Sequence, residues 1–524
     1  MKLIASLLVV LAGFFLTACG GDDDKKISVM ITPATLTLKA GTTGQFSATL
    51  KETSNQSVTW SVDEANGGSI TSAGVYTAPA TAGTYKVRAT SVADTKRSAT
   101  AAVTVTALES AMVRVFHASP NAPKVNLWVN DAVVKAKLDY QESTGNLTLT
   151  EGTYKIAVEG IIPGGNAVVI GPANLTFAAK THYDVVAINT VDKIEPLIIE
   201  DMGMLSDTAK VRVRVVHLAA AAPAVKVFVT APDADLAGAT PLGTFEFKGK
   251  LGPVEVPAGS YQIRVTLVNG TVVFDSGTVA LAAGKDLLIG AVPNVGNGSS
   301  PIRLAVLDGN AVAILADKAV GANLRVVHAS ANAPAVDVIV NNAAEAAIKN
   351  LAFSQVTGYV TLPAATYNFK VTGAGTLTPA VINADVPLAN GVEYTLLAVG
   401  ALAGIEPLLL TDNNRVVATE AKIRLIHAST LAQNVDIYVL PKGTSTANQT
   451  AAFVNIPFKA ETGYVSLAAG EYDVIITPTG EPGTSAIKAT LNLAAGKIYT
   501  AVAADGVNLT SPLGVIGLDE LAAE

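Results

Sequence analysis

Cysteine is almost missing from this sequence: Cys19 is the one cysteine in 524 residues. No intrachain disulfide can form, so burial and hydrogen bonding must hold whatever fold the chain adopts. Charge is also sparse. Asp, Glu, Lys and Arg make up 15% of the residues, where about 25% is usual for globular proteins. The net charge is −7 and no basic patch stands out, so the electrostatic footprint of nucleic-acid binding is absent and no nucleic-acid partner is expected. Aromatic residues contribute only 5%. The sequence has no Gly-x-Ser-x-Gly elbow, no His-Glu-x-x-His pair and no phosphate loop, the short motifs that announce hydrolase, zinc-protease and nucleotide chemistry. Beyond the N-terminus no apolar run approaches the roughly 20 residues that a membrane-spanning helix needs.

What is abundant is small and β-branched. Half of the residues are hydrophobic, enough for packed cores, and Ala, Val, Thr and Gly dominate. With 44 Gly and 24 Pro as punctuation, this composition favours short strands joined by tight turns. A length of 524 residues predicts several domains.

The N-terminus reads as an address. Lys2 is followed by an apolar run from Leu3 to Leu16, the length of a signal-peptide core and too short for a span. It ends in Leu16-Thr17-Ala18-Cys19, which resembles the lipobox of bacterial lipoproteins. That resemblance implies a signal peptide over 1–18 and a lipid on Cys19, which becomes the mature N-terminus and ties the chain to a membrane. Gly20-Gly21-Asp22-Asp23-Asp24-Lys25-Lys26 then reads as a solvated tether over 19–26. Gly20, where an Asp is associated with inner-membrane retention, implies an outer-membrane lipoprotein of the cell envelope.

Period-two alternation begins after the tether. It is visible in Leu36-Thr37-Leu38-Lys39, in Gln45 to Leu50, in Tyr85 to Ala89 and in Ala101 to Val105, and predicts half-buried strands. Val58-Thr59-Trp60-Ser61-Val62, then Gly68-Ser69-Ile70, Gly74-Val75-Tyr76 and Ala78-Pro79, resemble a bacterial Ig-like domain of the invasin/intimin type. The resemblance implies a β-sandwich over 27–106 with Trp60 in its core, serving as a spacer.

The rest of the chain repeats itself. Arg114-Val115-Phe116-His117-Ala118-Ser119-Pro120-Asn121-Ala122-Pro123 returns as Arg214-Val215-Val216-His217, as Arg325-Val326-Val327-His328-Ala329-Ser330-Ala331-Asn332-Ala333-Pro334, and as Arg424-Leu425-Ile426-His427-Ala428-Ser429. The arginines recur about every hundred residues, the size of a domain rather than a solenoid unit. Each repeat adds an alternating segment ending in Tyr154, Tyr261, Tyr367 or Tyr472, a buried apolar strand, and a closing segment carrying Asp201, Asp308, Asp412 or the displaced Asp519. This pattern predicts six to eight short strands per repeat and no amphipathic helix of usual length. The motif resembles the DUF4397 family of bacterial extracytoplasmic domains, which has no established activity. The expected architecture is all-β: five tandem β-sandwich (Ig-like) domains after the signal peptide, with repeats over 110–205, 208–318, 320–415 and 418–524, strung as an articulated rod.

The recurrent polar residues Arg114, His117, Arg214, His217, Arg325, His328, Arg424 and His427 are the candidate site residues. Residues three apart on a strand face opposite sides, so each Arg and its His do not line one surface. Each His shares its face with a core valine or leucine. The simplest structural role ties each opening strand to the turn that follows and to the Asp of the closing strand. Asn126, Lys226, Asp337 and Asp436 stand where a carboxylate partner of the His would be, and Lys226 cannot accept a hydrogen bond. A metal site needs converging ligands, whereas each repeat offers one motif His and no Cys, so no metal and no cofactor are expected. The tyrosines suggest a tyrosine corner. The expectation is a non-catalytic, lipid-anchored spacer and interaction protein, not an enzyme. Its alternative is an adhesin that binds an extracellular glycan or protein ligand through loops of the repeats.

Overall fold

The computed structural model describes residues 26–203 and 205–521. Cys19, the signal segment and most of the tether lie outside them. Among the described residues the only helices are three single 3-10 turns, and everything else that is regular is strand. The chain divides between Glu109 and Ser110.

In the N-terminal unit Thr35–Lys39 pairs parallel with Ser98–Thr106, which continues antiparallel through Gly83–Ser91 to Val58–Val62. Ser28–Thr32 pairs with Ser47–Lys51, and Thr43–Gln45, Val75–Thr77 and Ser69–Ile70 form a third small sheet. These sheets enclose Phe46, Tyr76, Val87, Ala89 and Val103, each at most 1% exposed. Trp60 is only partly buried and packs on the rim of this cluster, 6.4 Å from the Phe46 ring. The aromatic centre is therefore Phe46 with Tyr76, not the expected Trp60. Phe46→Ala is expected to cost this unit about 3–5 kcal/mol, read as a lowered urea midpoint of its own transition. A loss below about 1 kcal/mol would show that Phe46 is not central to the core.

Each repeat of the second unit is a pair of facing sheets, as the alternation predicts. In the first repeat Ser110–His117 lies between Leu147–Thr150, antiparallel, and Thr181–Ile188, parallel, and Glu195–Met202 closes the sheet. The opposing sheet orders Ala132–Leu138, Val125–Val129, Gly152–Gly160 and Ala167–Phe177. The same order returns around Lys210–His217, Ala322–His328 and Ala421–His427, the second repeat adding Val312–Leu315 at its edge. Three of the repeats thus have eight strands, the upper end of the range expected from the sequence, and the second has nine, one more than expected.

One predicted segment divides. Gly145 to Tyr154 reads as a single strand, yet Leu147–Thr150 belongs to the first sheet and Gly152–Gly160 to the second. Gly152, at φ +153°, stands at the crossing. The tyrosine then spans the corner: Tyr154 Oη donates to Thr150 O at 2.8 Å, Tyr261 Oη to Pro257 O at 2.8 Å and Tyr367 Oη to Pro363 O at 2.9 Å. A hydroxyl bonded to backbone a few residues upstream is the bond of a tyrosine corner.

The repeats are not independent beads. Phe116, Val186 and Ile188 of the first repeat share one buried cluster with Val216, Leu288 and Val292 of the second. Val327, Leu397 and Val399 of the third likewise join Ile426, Val502 and Ile516 of the fourth. The expectation of an articulated rod fails here because the opening strand is buried on both faces. Val113 and Val115 face their own sandwich, and Phe116 faces the neighbouring repeat. Strands covered on both sides read as near-continuous apolar runs, as Val-Arg-Val-Val-His does.

Candidate functional site

The four motif histidines occupy one geometry. His117 Nε2 meets Pro123 O at 3.0 Å, and Ser119 N donates to His117 Nδ1 at 3.3 Å. His217 does the same with Pro223 O and Ala219 N, His328 with Pro334 O and Ser330 N, and His427 with Gln433 O and Ser429 N. Nδ1 accepts, so Nε2 carries the proton and donates to the carbonyl. Burial pulls the pKa of each ring below the usual histidine value, so each stays neutral near pH 7. The histidine is a clamp on the Ala-Ser-x-x-Ala-Pro turn, and no side-chain carboxylate partners it. Asp337 instead accepts from Asn350 N and Gly375 N, and Asp436 from Asn455 N and Gly480 N.

The sequence did not reveal an aromatic edge contact on three of these rings. Tyr140, Phe353 and Phe458 lie 6.2–6.4 Å from His117, His328 and His427, nearly perpendicular to them. Their spacing from the histidine differs in each repeat because loops of unequal length intervene, so no periodic signal marks them.

The arginines point the other way, into the junctions between repeats. Arg114 Nε donates to Asp184 Oδ1 at 2.6 Å, and Arg214 Nη1 of the second repeat donates to Oδ2 of the same carboxylate at 2.8 Å. Arg212 grips Asp201, Nη2 to Oδ1 at 2.6 Å, and Asp286 receives Arg214 Nη2 at 2.9 Å and Arg212 Nη1 at 3.1 Å. In the other pair Arg424 Nη1 of the fourth repeat donates to Asp412 of the third at 2.6 Å, and Arg325 Nη1 of the third donates to Asp519 of the fourth at 2.6 Å. Arg114 is 1% exposed and Arg424 0%. The expected tie between a motif Arg and a closing-strand Asp is found in the third and fourth repeats, where the two carboxylates are exchanged across the boundary; in the first two repeats Arg114 and Arg214 instead share Asp184 of the parallel strand Thr181–Ile188. Asp308 takes no part: it caps Asn310 N and Ala311 N of its own turn and pairs with Lys285. At the rim Glu195 pairs with Lys248 and Glu406 with Lys459, again across each pair of repeats. These rim contacts are half exposed, so Lys248→Ala should change stability by less than about 1 kcal/mol in urea unfolding.

A cleft of about 350 Å³ opens where the first three repeats meet. Asp139, Tyr140 and Gln141 come from the first, Gly296 and Arg303 from the second, and Glu393 and Asn413 to Arg415 from the third and the segment after it. Arg415 crosses the junction to Asp139 and donates Nη1 to Ala122 O at 2.9 Å. Tyr140 Oη reaches Pro293 O of the second repeat at 2.6 Å. Among the described residues no three His, Cys, Asp or Glu side chains converge on a metal-binding geometry.

With that geometry in hand, the likenesses to other proteins can be placed. The model of a domain of unknown function, DUF4397, matches residues 111–228, 322–438 and 441–521, more than half the chain. The chain belongs to this family. Two of the DUF4397 matches run from one repeat through the opening strand of the next, to Phe228 and Tyr438, and so include Asp184 with Arg214 and Asp412 with Arg424. No curated protein matches. Among solved structures, the Bacillus anthracis TIE protein aligns at 14% identity over 87% of this chain and 76% of its own, with a TM-score of 0.13. A Bacteroides ovatus mixed-linkage glucan utilization locus protein, SGBP-B, solved with a mixed-linkage heptasaccharide, aligns at 11% identity over 52% and 73%, with a TM-score of 0.12. The N-terminal four Ig domains of Dscam1 align at 9% identity over 67% and 96%, with a TM-score of 0.13. At such TM-scores none of the three bears on function.

Proposed function

We propose that this DUF4397 protein is a non-catalytic, lipid-anchored component of the bacterial cell envelope, whose repeats serve as a pre-packed scaffold for interaction. The observation that carries this reading is the use made of the recurrent polar residues. The motif histidines clamp their own turns, and the motif arginines are buried against carboxylates at the junctions between repeats, three of the four reaching an acid of the adjacent repeat. The motif therefore supplies assembly and leaves no recurrent set of accessible titratable groups for chemistry. The N-terminal unit, with its likeness to invasin/intimin-type modules, would act as a spacer between the lipid on Cys19 and the repeats. Cys19→Ala is the test. The wild-type chain should sediment with membranes and incorporate labelled palmitate, and the variant should do neither. A variant that stays in the membrane pellet would overturn the anchor. Protease treatment of intact cells should release the repeats if they face outward.

One observation favours the second reading, a glycan- or peptide-binding adhesin. In the fourth repeat the loop after the opening strand, Leu431 to Asn434, forms with Pro478, Thr479, Glu481 and Leu513 an open groove of about 630 Å³, within the size range of ligand sites. Saturable binding to a glycan array that is lost on deepening the loop's substitutions would support it.

A further inference from the structure

We propose that the cleft between the first three repeats is a binding site for a small organic carboxylate, of the size of an acidic monosaccharide, held by Arg303 and Gln141. The site is independent of the anchoring and scaffold reading, which neither requires nor supplies it.

One position changes its charge between the repeats. The strand register makes Glu195, Arg303 and Glu406 equivalent: they lie at the start of the closing strands, opposite Ile188, Val292 and Val399 respectively. In the first and third repeats this position holds a glutamate paired to a lysine of the adjacent repeat. In the second repeat it holds an arginine, and Gln141 of the first repeat, which lines the same cleft, occupies the place of Lys248 and Lys459. All three donate their backbone N to the carbonyl of the motif histidine, at 2.7–2.8 Å. A cation thus replaces the anion, and a neutral amide replaces the cation.

Neither group is satisfied by the protein. Arg303 forms no ion pair among the described residues. Its Nε donates to Asn294 Oδ1 at 3.0 Å and its Nη2 to Gly391 O at 3.1 Å, which leaves Nη1 without a protein acceptor. Burial lowers its pKa, with Glu393 opposing that shift, as expected of a desolvated guanidinium lacking a direct counter-ion. Gln141 Nε2 is buried beside the Tyr140 side chain and makes no well-formed hydrogen bond, where a fully unsatisfied donor costs about 1–3 kcal/mol. Both residues line the same cleft. A Cβ on Gly296 would come within 2.3 Å of Arg303 Nη2, so a glycine there is what lets the guanidinium lie where it does.

The surroundings set the charge and size of the ligand. The carboxylates of the cleft all accept hydrogen bonds, two of them from arginines and that of Glu393 from amides alone. Asp139 is held by Arg415, Asp412 by Arg424, and Glu393 accepts from Asn323 and Asn414. Behind Asn413 lies the buried Lys422, which donates to Asn413 O at 3.1 Å. One guanidinium nitrogen without a protein acceptor, flanked by three carboxylates of which Glu393 has no cationic partner, suits a ligand of no more than one negative charge and disfavours a phosphate dianion. The volume of about 350 Å³ is at the lower end of ligand sites, and Asn413, Asn414 and Thr411 offer groups for hydroxyls.

The test is calorimetric titration of the full chain with sodium glucuronate, with glucose as the neutral sugar and acetate as the bare carboxylate. Glucuronate should bind at one saturable site, acetate should compete with it, and glucose should not bind. Loss of one charge-assisted bond corresponds to about tenfold or more in affinity. Arg303→Met and Gln141→Leu should each weaken glucuronate by at least that factor. Because Arg303→Met also removes two contacts between repeats, Gln141→Leu keeps the test valid should that variant fold poorly. No saturable heat with glucuronate, equal binding of glucose, or unchanged binding in folded Gln141→Leu would overturn the proposal.

Discussion

Asp184→Ala should be among the most damaging single substitutions in the repeats, lowering stability by about 3–5 kcal/mol, the usual cost of removing one partner from a buried ion pair. Asp184 is 1% exposed and receives guanidinium groups from two repeats. Its loss does not affect them equally. Arg214 keeps Asp286. Arg114 has no other hydrogen-bonded partner, and its Nη1 and Nη2 are already buried without acceptors, so it would become a buried charge without a hydrogen-bonded partner at the junction. Arg114→Met should therefore be milder than Asp184→Ala, and adding it to Asp184→Ala should restore part of the loss. The measurement is urea unfolding of the full chain, taking the transition of the repeats separately, since a chain of several domains need not unfold in one step. A loss below about 1 kcal/mol for Asp184→Ala would mean the pair is solvated and the arginines are not what binds the repeats.

Acid should loosen the repeats well above the range where carboxylates titrate. Five histidines, the four of the motif and His182, are buried, and desolvation lowers the pKa of each. An unfolded histidine takes up its proton near pH 6.5 and a buried neutral one does not. Above that value the two states bind equal numbers of protons. As the pH falls through about 6.5 the unfolded state binds more, and each histidine then contributes a slope of up to about 1.4 kcal/mol per pH unit until its folded pKa is reached. Five acting together make a steep fall between about pH 6.5 and 5. Asp308 and Asp473, held down to about 2 by hydrogen bonds and lysine partners, contribute stability above the unfolded Asp value that is lost only as the pH falls from about 4 towards 2. Urea midpoints between about pH 7.5 and 5 are the measurement. Stability that is flat across that interval would contradict the buried neutral histidines, whereas His328→Gln should reduce the slope.

Much of this architecture is written in the sequence. Alternation marks the strands, and the recurrence of Arg-Val-x-His fixes the number of repeats and their opening strands. The separation of Arg from His to opposite faces follows from their spacing alone, and so does the inward clamp of the histidine. The destination of the arginines is less legible. A period of two says that Arg114 and Phe116 leave the core of their own sandwich, but not whether water or another repeat awaits them. The clue was the density of apolar residues in Val211 to Val216 and Ile423 to Ile426, which exceeds what one covered face requires. Trp60 is shallower than the resemblance to invasin/intimin-type domains implies, packing on the core cluster while only partly buried, because depth depends on which strand lies at the edge and Val58–Val62 ends its sheet. The substitution of Arg303 for the glutamate at its equivalent positions was visible. Its meaning was not, because Gln141 lies far away in sequence and comes opposite only when two repeats dock.

The shared clusters of the first and second repeats, and of the third and fourth, also limit how the chain can be shortened. A cut after the third repeat would uncover Val327, Leu397 and Val399 and strip Arg325 of Asp519, leaving a sticky, charged face that invites aggregation. A cut after the second would expose no such face of that pairing. Deletions, fusions and gene duplications in this molecule should therefore be tolerated in twos, so that viable lengths follow even numbers rather than single steps.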